Sequence, residues 1–303
     1  MPELPEVETV VRCLAPELVG RRVMGVSVRE TRLRGGVAPD FAERLTGRRI
    51  EGLARRGKYL LAALDDGRLW LVHLGMTGRL TLAPPRRADE RHDHVVVRLD
   101  DGRVLTFNDA RRFGRVAVVE HAALAAETGA AIDPLDPGFT AAVLFALTRG
   151  RRTSIKALLM DQRRVAGLGN IYVNELLFRA GIRPGRRASR LRRRDCTRLV
   201  RATRAVLDDA IRRGGSSVSD YRDGLGRPGW FQLHHRVYDR AGEPCRRCAE
   251  PIRARVIVGR SSFYCPRCQM AARSSLLRRI AALAALAPRL VRLARHDDPD
   301  GRL

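Results

Sequence analysis

Four cysteines spaced Cys245-x2-Cys248-x16-Cys265-x2-Cys268 constrain the end of this chain more tightly than any other feature. Two CxxC pairs separated by a short segment present four thiolates to one tetrahedral ion, the arrangement of a structural zinc site. All four positions are sulfur, so no position is left for a catalytic water. Two disulfides would satisfy the same count, but an intracellular chain would not keep them. The intervening Arg253 to Tyr264 alternates like a β-hairpin, with Gly259-Arg260 expected at its turn. The expected unit is a zinc ribbon holding one structural Zn²⁺, with Arg260 at its tip. Cys13 and Cys196 lack partners at ligand spacing and read as ordinary buried thiols.

The rest of the 303 residues suffices for two or three domains. Hydrophobic content of 45% excludes a disordered polyelectrolyte, yet the net charge is +25. A folded surface so basic concentrates polyanions, and nucleic acid is the usual one. Of the 58 basic residues only Lys58 and Lys156 are lysines. An ammonium is a compact point charge where a guanidinium is a planar fork, so these two positions read as sites the fork does not fit. No run of about 20 uncharged apolar residues exists to span a membrane. The acidic start lacks the pattern of a secretory leader, which gives a cytoplasmic, nucleoid-associated expectation.

Periodicity divides the chain. Leu4, Val7, Val10, Val11, Leu14 and Leu18 make an amphipathic first helix, after which short alternating runs continue to about residue 119. Asp66-Gly67 and Asp101-Gly102 sit between such runs as hairpin turns do. The fold class is α+β and multidomain: a β-sandwich with a leading helix (1–120), a linker (121–139) holding IDPLDPG, and a helical domain (140–235) with helices near 140–160, 170–180 and 195–213. The zinc ribbon (236–271) and a C-terminal extension (272–303) with Leu276, Ile280 and Leu283 at helical spacing complete it. Val165 to Asn170 is a glycine turn that can meet a phosphate at a helix start, with Asn170 as cap. The Gly- and Ser-rich stretch 216–231 reads as a mobile loop, and 183–213 carries twelve arginines against three aspartates.

The opening Met1-Pro2-Glu3-Leu4-Pro5-Glu6 admits two readings. Proline and glutamate suit an ordinary helix start. Removal of Met1 would instead expose a secondary amine at Pro2, unprotonated near neutral pH as a Schiff-base nucleophile must be, with Glu3 beside it to move protons. Pro2 to Thr9 resembles the opening of the formamidopyrimidine-DNA glycosylase family. The likeness continues in order through Lys58-Tyr59-Leu60, His73-Leu74-Gly75-Met76, His92-Asp93-His94-Val95 and Arg111-Arg112-Phe113-Gly114. It then runs through Ile155-Lys156 and Gly169-Asn170-Ile171-Tyr172 to Gly242-Glu243-Pro244-Cys245 and the ribbon.

That resemblance implies a helix–two-turn–helix domain between the sandwich and the ribbon, with duplex DNA carrying oxidised or abasic sites bound in the cleft by a monomer. It implies that Pro2 forms the Schiff base and Glu3 is a proton donor. Lys58 would serve β-elimination and Arg260 δ-elimination. Glu6, His73, His94, Lys156, Asn170 and Tyr172 would stand among the DNA contacts. Met76, Arg111 and Phe113 resemble residues that fill the gap left by an everted base, whose extrusion costs a few kcal/mol. Taken singly, Met76 and Phe113 would read as core. His92 and His94 lack a third ligand and read as structural from the residues alone. Ala110 replaces a proline common in the family and Ser216-Ser217 replace threonines, neither bearing chemistry. The competing expectations are an endonuclease VIII-like enzyme for oxidised pyrimidines and a damaged-DNA binder without catalysis.

Overall fold

The computed structural model describes residues 1–270 apart from positions 86, 87 and 219. The tail whose helix the spacing predicts lies outside the described residues. Helix α1 (Leu4–Leu18) starts where Pro5 pre-sets the backbone and the Glu6 carboxylate accepts the Glu3 N–H at 2.8 Å. Its apolar stripe is buried.

Eight strands follow: β1 (Val23–Val28), β2 (Ile50–Arg56), β3 (Tyr59–Leu64), β4 (Arg68–His73), β5 (Arg79–Ala83), β6 (Asp93–Leu99), β7 (Val104–Asn108) and β8 (Arg115–Glu120). The short α2 (Phe41–Leu45) lies between β1 and β2. They form two antiparallel four-stranded sheets, ordered β1-β6-β7-β5 and β2-β3-β4-β8. Alternation puts Leu60, Ala62, Leu64, Trp70, Val72, Val95, Val97 and Leu105 into one core, closed by Val7 to Leu18 of α1.

After α3 (Leu124–Thr128) come α4 (Ala141–Thr148), α5 (Ile155–Met160), α6 (Asn170–Ala180) and α7 (Arg193–Arg212). The helix expected over 140–160 is two helices. Gly150 takes φ +67, and Ser154 caps α5 by accepting the Ala157 N–H, so the run breaks and restarts. A second core gathers α4 to α7, and Leu4 belongs to it although Val7 belongs to the first. Helix α1 therefore begins in one domain and continues in the other, which carries the N-terminus to their junction.

Strands β9 (Arg253–Ile257) and β10 (Arg260–Tyr264) form the ribbon hairpin. Its turn is Val258-Gly259, both at positive φ (49° and 66°), one residue earlier than expected. Arg260 thus opens β10. The four cysteine sulfurs lie within 4.8 Å of one another, with Cys248 at 3.5 Å from Cys265 and 3.4 Å from Cys268. A tetrahedron of sulfurs at about 2.3 Å from zinc has edges of about 3.8 Å, so the set fits one structural zinc ion. The ribbon is tied to α6, where Glu175 accepts the N–H groups of Arg236, Val237 and Tyr238 and Asn174 accepts that of Phe263.

The stretch expected to be a mobile loop is held at several points. Ser216 N–H donates to Glu6, the Tyr221 hydroxyl donates to the Glu6 carbonyl, and Phe231 N–H donates to Gly215. No described helix is long and apolar enough to cross a membrane.

Candidate active site

The junction of the two cores opens into a cleft of about 490 Å³ lined by Met1, Glu3, Lys58, His73, Met76, Asn170 and Arg260. Met1 is 45% exposed while Pro2 is buried beneath it, so removing Met1 would uncover the Pro2 nitrogen inside the cleft. Because β2 and β3 turn at Gly57-Lys58 directly opposite the Val165–Asn170 turn, Lys58 faces Glu3 across the opening. Gly57 takes φ +57, and a Cβ there would lie 3.0 Å from that of Ala166.

The helix start that looked ready for a phosphate is already engaged. Glu3 accepts from the backbone N–H groups of Gly169, Ile171 and Tyr172 at 2.8, 2.9 and 3.4 Å. Asn170 is therefore not the cap: Gly169 holds that place, and a Cβ on it would lie 2.3 Å from the Glu3 carboxyl carbon. Burial raises the Glu3 carboxyl to about 7, against the pull of the Lys58 ammonium and the helix amides. Burial likewise lowers the Lys58 pKa, countered by Glu3 and Glu6 and reinforced by Arg260. Each group thus sits closer to neutral-pH proton exchange than it would in water.

His73 is held neutral, its pKa lowered to about 4 by burial and then by Lys58, Arg34 and Arg115. Its Nδ1 accepts the Gly75 N–H at 3.0 Å, so Nε2 carries the proton and can donate to an anion. Above the cleft, Asp109 joins two loops: it accepts from the Thr77 hydroxyl and from the N–H groups of Arg111 and Gly114. Gly75 lies so close that a Cβ would stand 2.4 Å from the Phe113 carbonyl carbon. This places Met76 near Phe113, which is 45% exposed with the Arg111 guanidinium 4.8 Å over its ring. An exposed Phe beneath a cation is not core.

Four residues expected to touch DNA lie inside the protein instead. Tyr172 is fully buried, its hydroxyl donating to the buried Glu6 carboxylate, and Glu6 also binds the N–H groups of Glu3 and Ser216. His94 is buried with Nε2 against the Asp109 carbonyl. Lys156 is 1% exposed and donates to the Ser261 carbonyl and the Ser262 hydroxyl, both at 2.7 Å. It fastens α5 to the hairpin that carries Arg260. Helical and strand periodicity places such residues inward; the family resemblance was the ground for expecting them at the DNA.

Sequence reading missed Arg34, Arg56, Gln162 and Tyr238, which also line the cleft. It also missed Arg55, buried among Glu8, Asp133 and the Gly57 carbonyl, while Asp133 accepts the Gly57 N–H. This cluster fixes the turn that presents Lys58. The adjacency of Arg55 to Lys58 was visible; its partners, 47 and 78 residues away, were not.

Three family models match the chain: the formamidopyrimidine-DNA glycosylase N-terminal domain over residues 1–116, its H2TH domain over 130–222, and a zinc finger found in FPG and IleRS over 242–270. The formamidopyrimidine-DNA glycosylase of Thiobacillus denitrificans is 52% identical over 274 residues, covering 89% of this chain and all of the relative. That of Chloroflexus aggregans is 48% identical, covering 89% and 99%. Among solved structures, the MutM (Fpg) protein of Thermus thermophilus aligns at 41% identity with a TM-score of 0.79, over 88% of this chain and 98% of that one. Lactococcus lactis Fpg in complex with an abasic-site DNA aligns at 32% identity and a TM-score of 0.82, over 89% and 100%. With this domain order, this likeness along its length and this junction cleft, the chain belongs to the formamidopyrimidine-DNA glycosylase family.

Proposed function

We propose that the protein excises oxidised purines from duplex DNA through a Schiff base at Pro2 and then cleaves the strand at the resulting abasic site. The observation that carries the reading is Glu3 held on the α6 N-terminus next to Pro2, with its carboxyl at about 7 and Lys58 opposite. Once Met1 is gone, the Pro2 amine attacks C1′. The glycosidic bond breaks with its electrons leaving on the base, loss of the amine proton leaves a neutral aminal, and opening of its C1′–O4′ bond gives the iminium form of the Schiff base. Glu3, protonated in an appreciable fraction near neutral pH, supplies the proton the sugar needs as its ring opens. Withdrawal of the C2′ proton then expels the 3′ phosphate, with Lys58 as the donor at this step. A second elimination expels the 5′ phosphate, where Arg260 is assigned. His73 Nε2 and Asn170 hold flanking phosphates, while Met76, Arg111 and Phe113 occupy the space the lesion vacates. Zinc contributes no reacting group, since its four ligands are all sulfur. A substrate of duplex DNA supports a cytoplasmic location beside the nucleoid as part of this proposal.

Duplexes carrying 8-oxoguanine or an oxidised pyrimidine, incubated with the protein and borohydride, test this. Cleavage is expected on the purine lesion, with a trapped adduct that maps to Pro2 and blocks N-terminal sequencing. Preferential cleavage of the pyrimidine would favour the endonuclease VIII-like alternative. An adduct on Lys58 would overturn the Schiff-base assignment.

A further inference from the structure

On the helical domain and the ribbon lies a second basic feature that shares no lining residue with the catalytic cleft. A groove of about 740 Å³ runs between the 183–192 loop and β9, lined by Arg183, Arg186, Arg187, Arg190, Arg192 and Arg255. It continues through Arg186 and Arg192 into a second hollow of about 380 Å³, lined also by Arg179, Arg194, Arg198 and Arg247. The one carboxylate lining either hollow is Asp195, already paired with Arg186 at 2.8 Å and Arg198 at 2.7 Å. Among the described residues, no carboxylate lies within ion-pair distance of Arg179, Arg187, Arg190, Arg192, Arg194, Arg247 or Arg255. Elsewhere on the surface arginines are often paired, as Arg12 is with Glu8, Arg44 with Glu120 and Arg103 with Glu17.

The backbone crowds these charges together. Arg186 N–H donates to the Arg183 carbonyl and Arg190 N–H to that of Arg187, so successive turns project guanidiniums from one short loop. Like charges gathered in a concave wall repel unless an external anion neutralises them, and field lines focus in such a groove. Planar forks at repeated spacing match the phosphates of a nucleic-acid strand.

We infer that this groove is a second DNA-binding site, which holds the phosphate backbone of an undamaged duplex segment while the catalytic cleft is free or occupied. Its role is to hold phosphates, since its charged lining is made of guanidiniums alone, the groups that fork onto phosphate oxygens. Its use would be to keep the enzyme on DNA between lesions or to bridge two segments.

The test uses the full chain and short duplexes of about one turn. Fluorescence titration at low salt should find two duplexes per chain. The triple variant Arg187→Glu, Arg190→Glu, Arg194→Glu should bind one, with single-turnover excision at saturating enzyme within about two-fold of the parent. A control with the same charge change at exposed positions outside the groove, Arg12→Glu, Arg49→Glu, Arg98→Glu, should still bind two. Binding at the second site should weaken with salt on a log–log slope of about 0.9 for each phosphate it neutralises. One duplex per chain in the parent, or two in the groove variant, overturns the inference. So does equal loss in the control, which would reduce the effect to net charge. A parent that binds two duplexes yet excises no lesion would sink the catalytic reading and leave this one standing.

Discussion

Gly169 shows how little space the proton-handling site allows. A methyl group there would occupy the Glu3 carboxyl, and Gly169's own amide with that of Ile171 is what holds that carboxyl. Gly169→Ala should therefore lower base excision by an amount approaching that of Glu3→Gln while DNA affinity changes little, as separate binding and single-turnover assays would reveal. Wild-type excision would mean that Glu3 can move without loss. Glu3 also stores instability. Its folded pKa near 7 lies above the unfolded value near 4.5, so the folded state binds the extra proton between them. Stability falls as pH rises through that window, by up to about 3 kcal/mol at 1.36 kcal/mol per unit. In the chain that keeps Met1, Glu3→Gln should raise Tm more at pH 8 than at pH 4. An equal shift at both would remove burial as the cause.

Among the elements, α5 and the β9–β10 hairpin meet at Lys156. Its ammonium is surrounded, with a pKa lowered to about 8 by burial and by Arg260 against the pull of Glu3. Two short hydrogen bonds to Ser261 and Ser262 leave no room for a guanidinium, which is larger and planar. Lys156→Arg should push the hairpin outward and move Arg260 with it. Weaker binding of lesion duplex by about ten-fold is expected, roughly 1.4 kcal/mol, although the charge is kept. Unchanged affinity would make the scarcity of lysine an accident of composition.

At the scale of the whole molecule, two cores meet across α1 and a third small unit depends on metal. The ribbon's apolar residues are few, chiefly Val237, Ile252 and Phe263 beside the cysteines. Zinc removal should therefore unfold it alone. Chelation is expected to abolish lesion binding and to shift near-UV dichroism, while the thermal transition of the sandwich persists. Arg260→Ala should reproduce much of the binding loss with zinc still bound, and flatten the salt slope by about one unit. Loss of the sandwich transition on chelation would show that the three units fold together.

What could be read from the sequence was local or repeated: the α1 stripe, the alternating strands and the cysteine spacing each carry their signal within about 20 residues. The ordered motifs from Pro2 to Cys268 supplied the family resemblance without any geometry. The tertiary structure decided what depends on partners distant in the chain. Glu3 and Gly169 are 166 residues apart, and only packing shows that a carboxylate rather than a phosphate fills that helix start. Tyr172, His94 and Lys156 are polar residues on inward faces, where burial requires a partner that local sequence does not name. Of Arg55's two carboxylates, one comes from α1 and the other from the segment beyond the sandwich. Periodicity fixes which way a side chain points within its element, and the assembled domains determine what it meets.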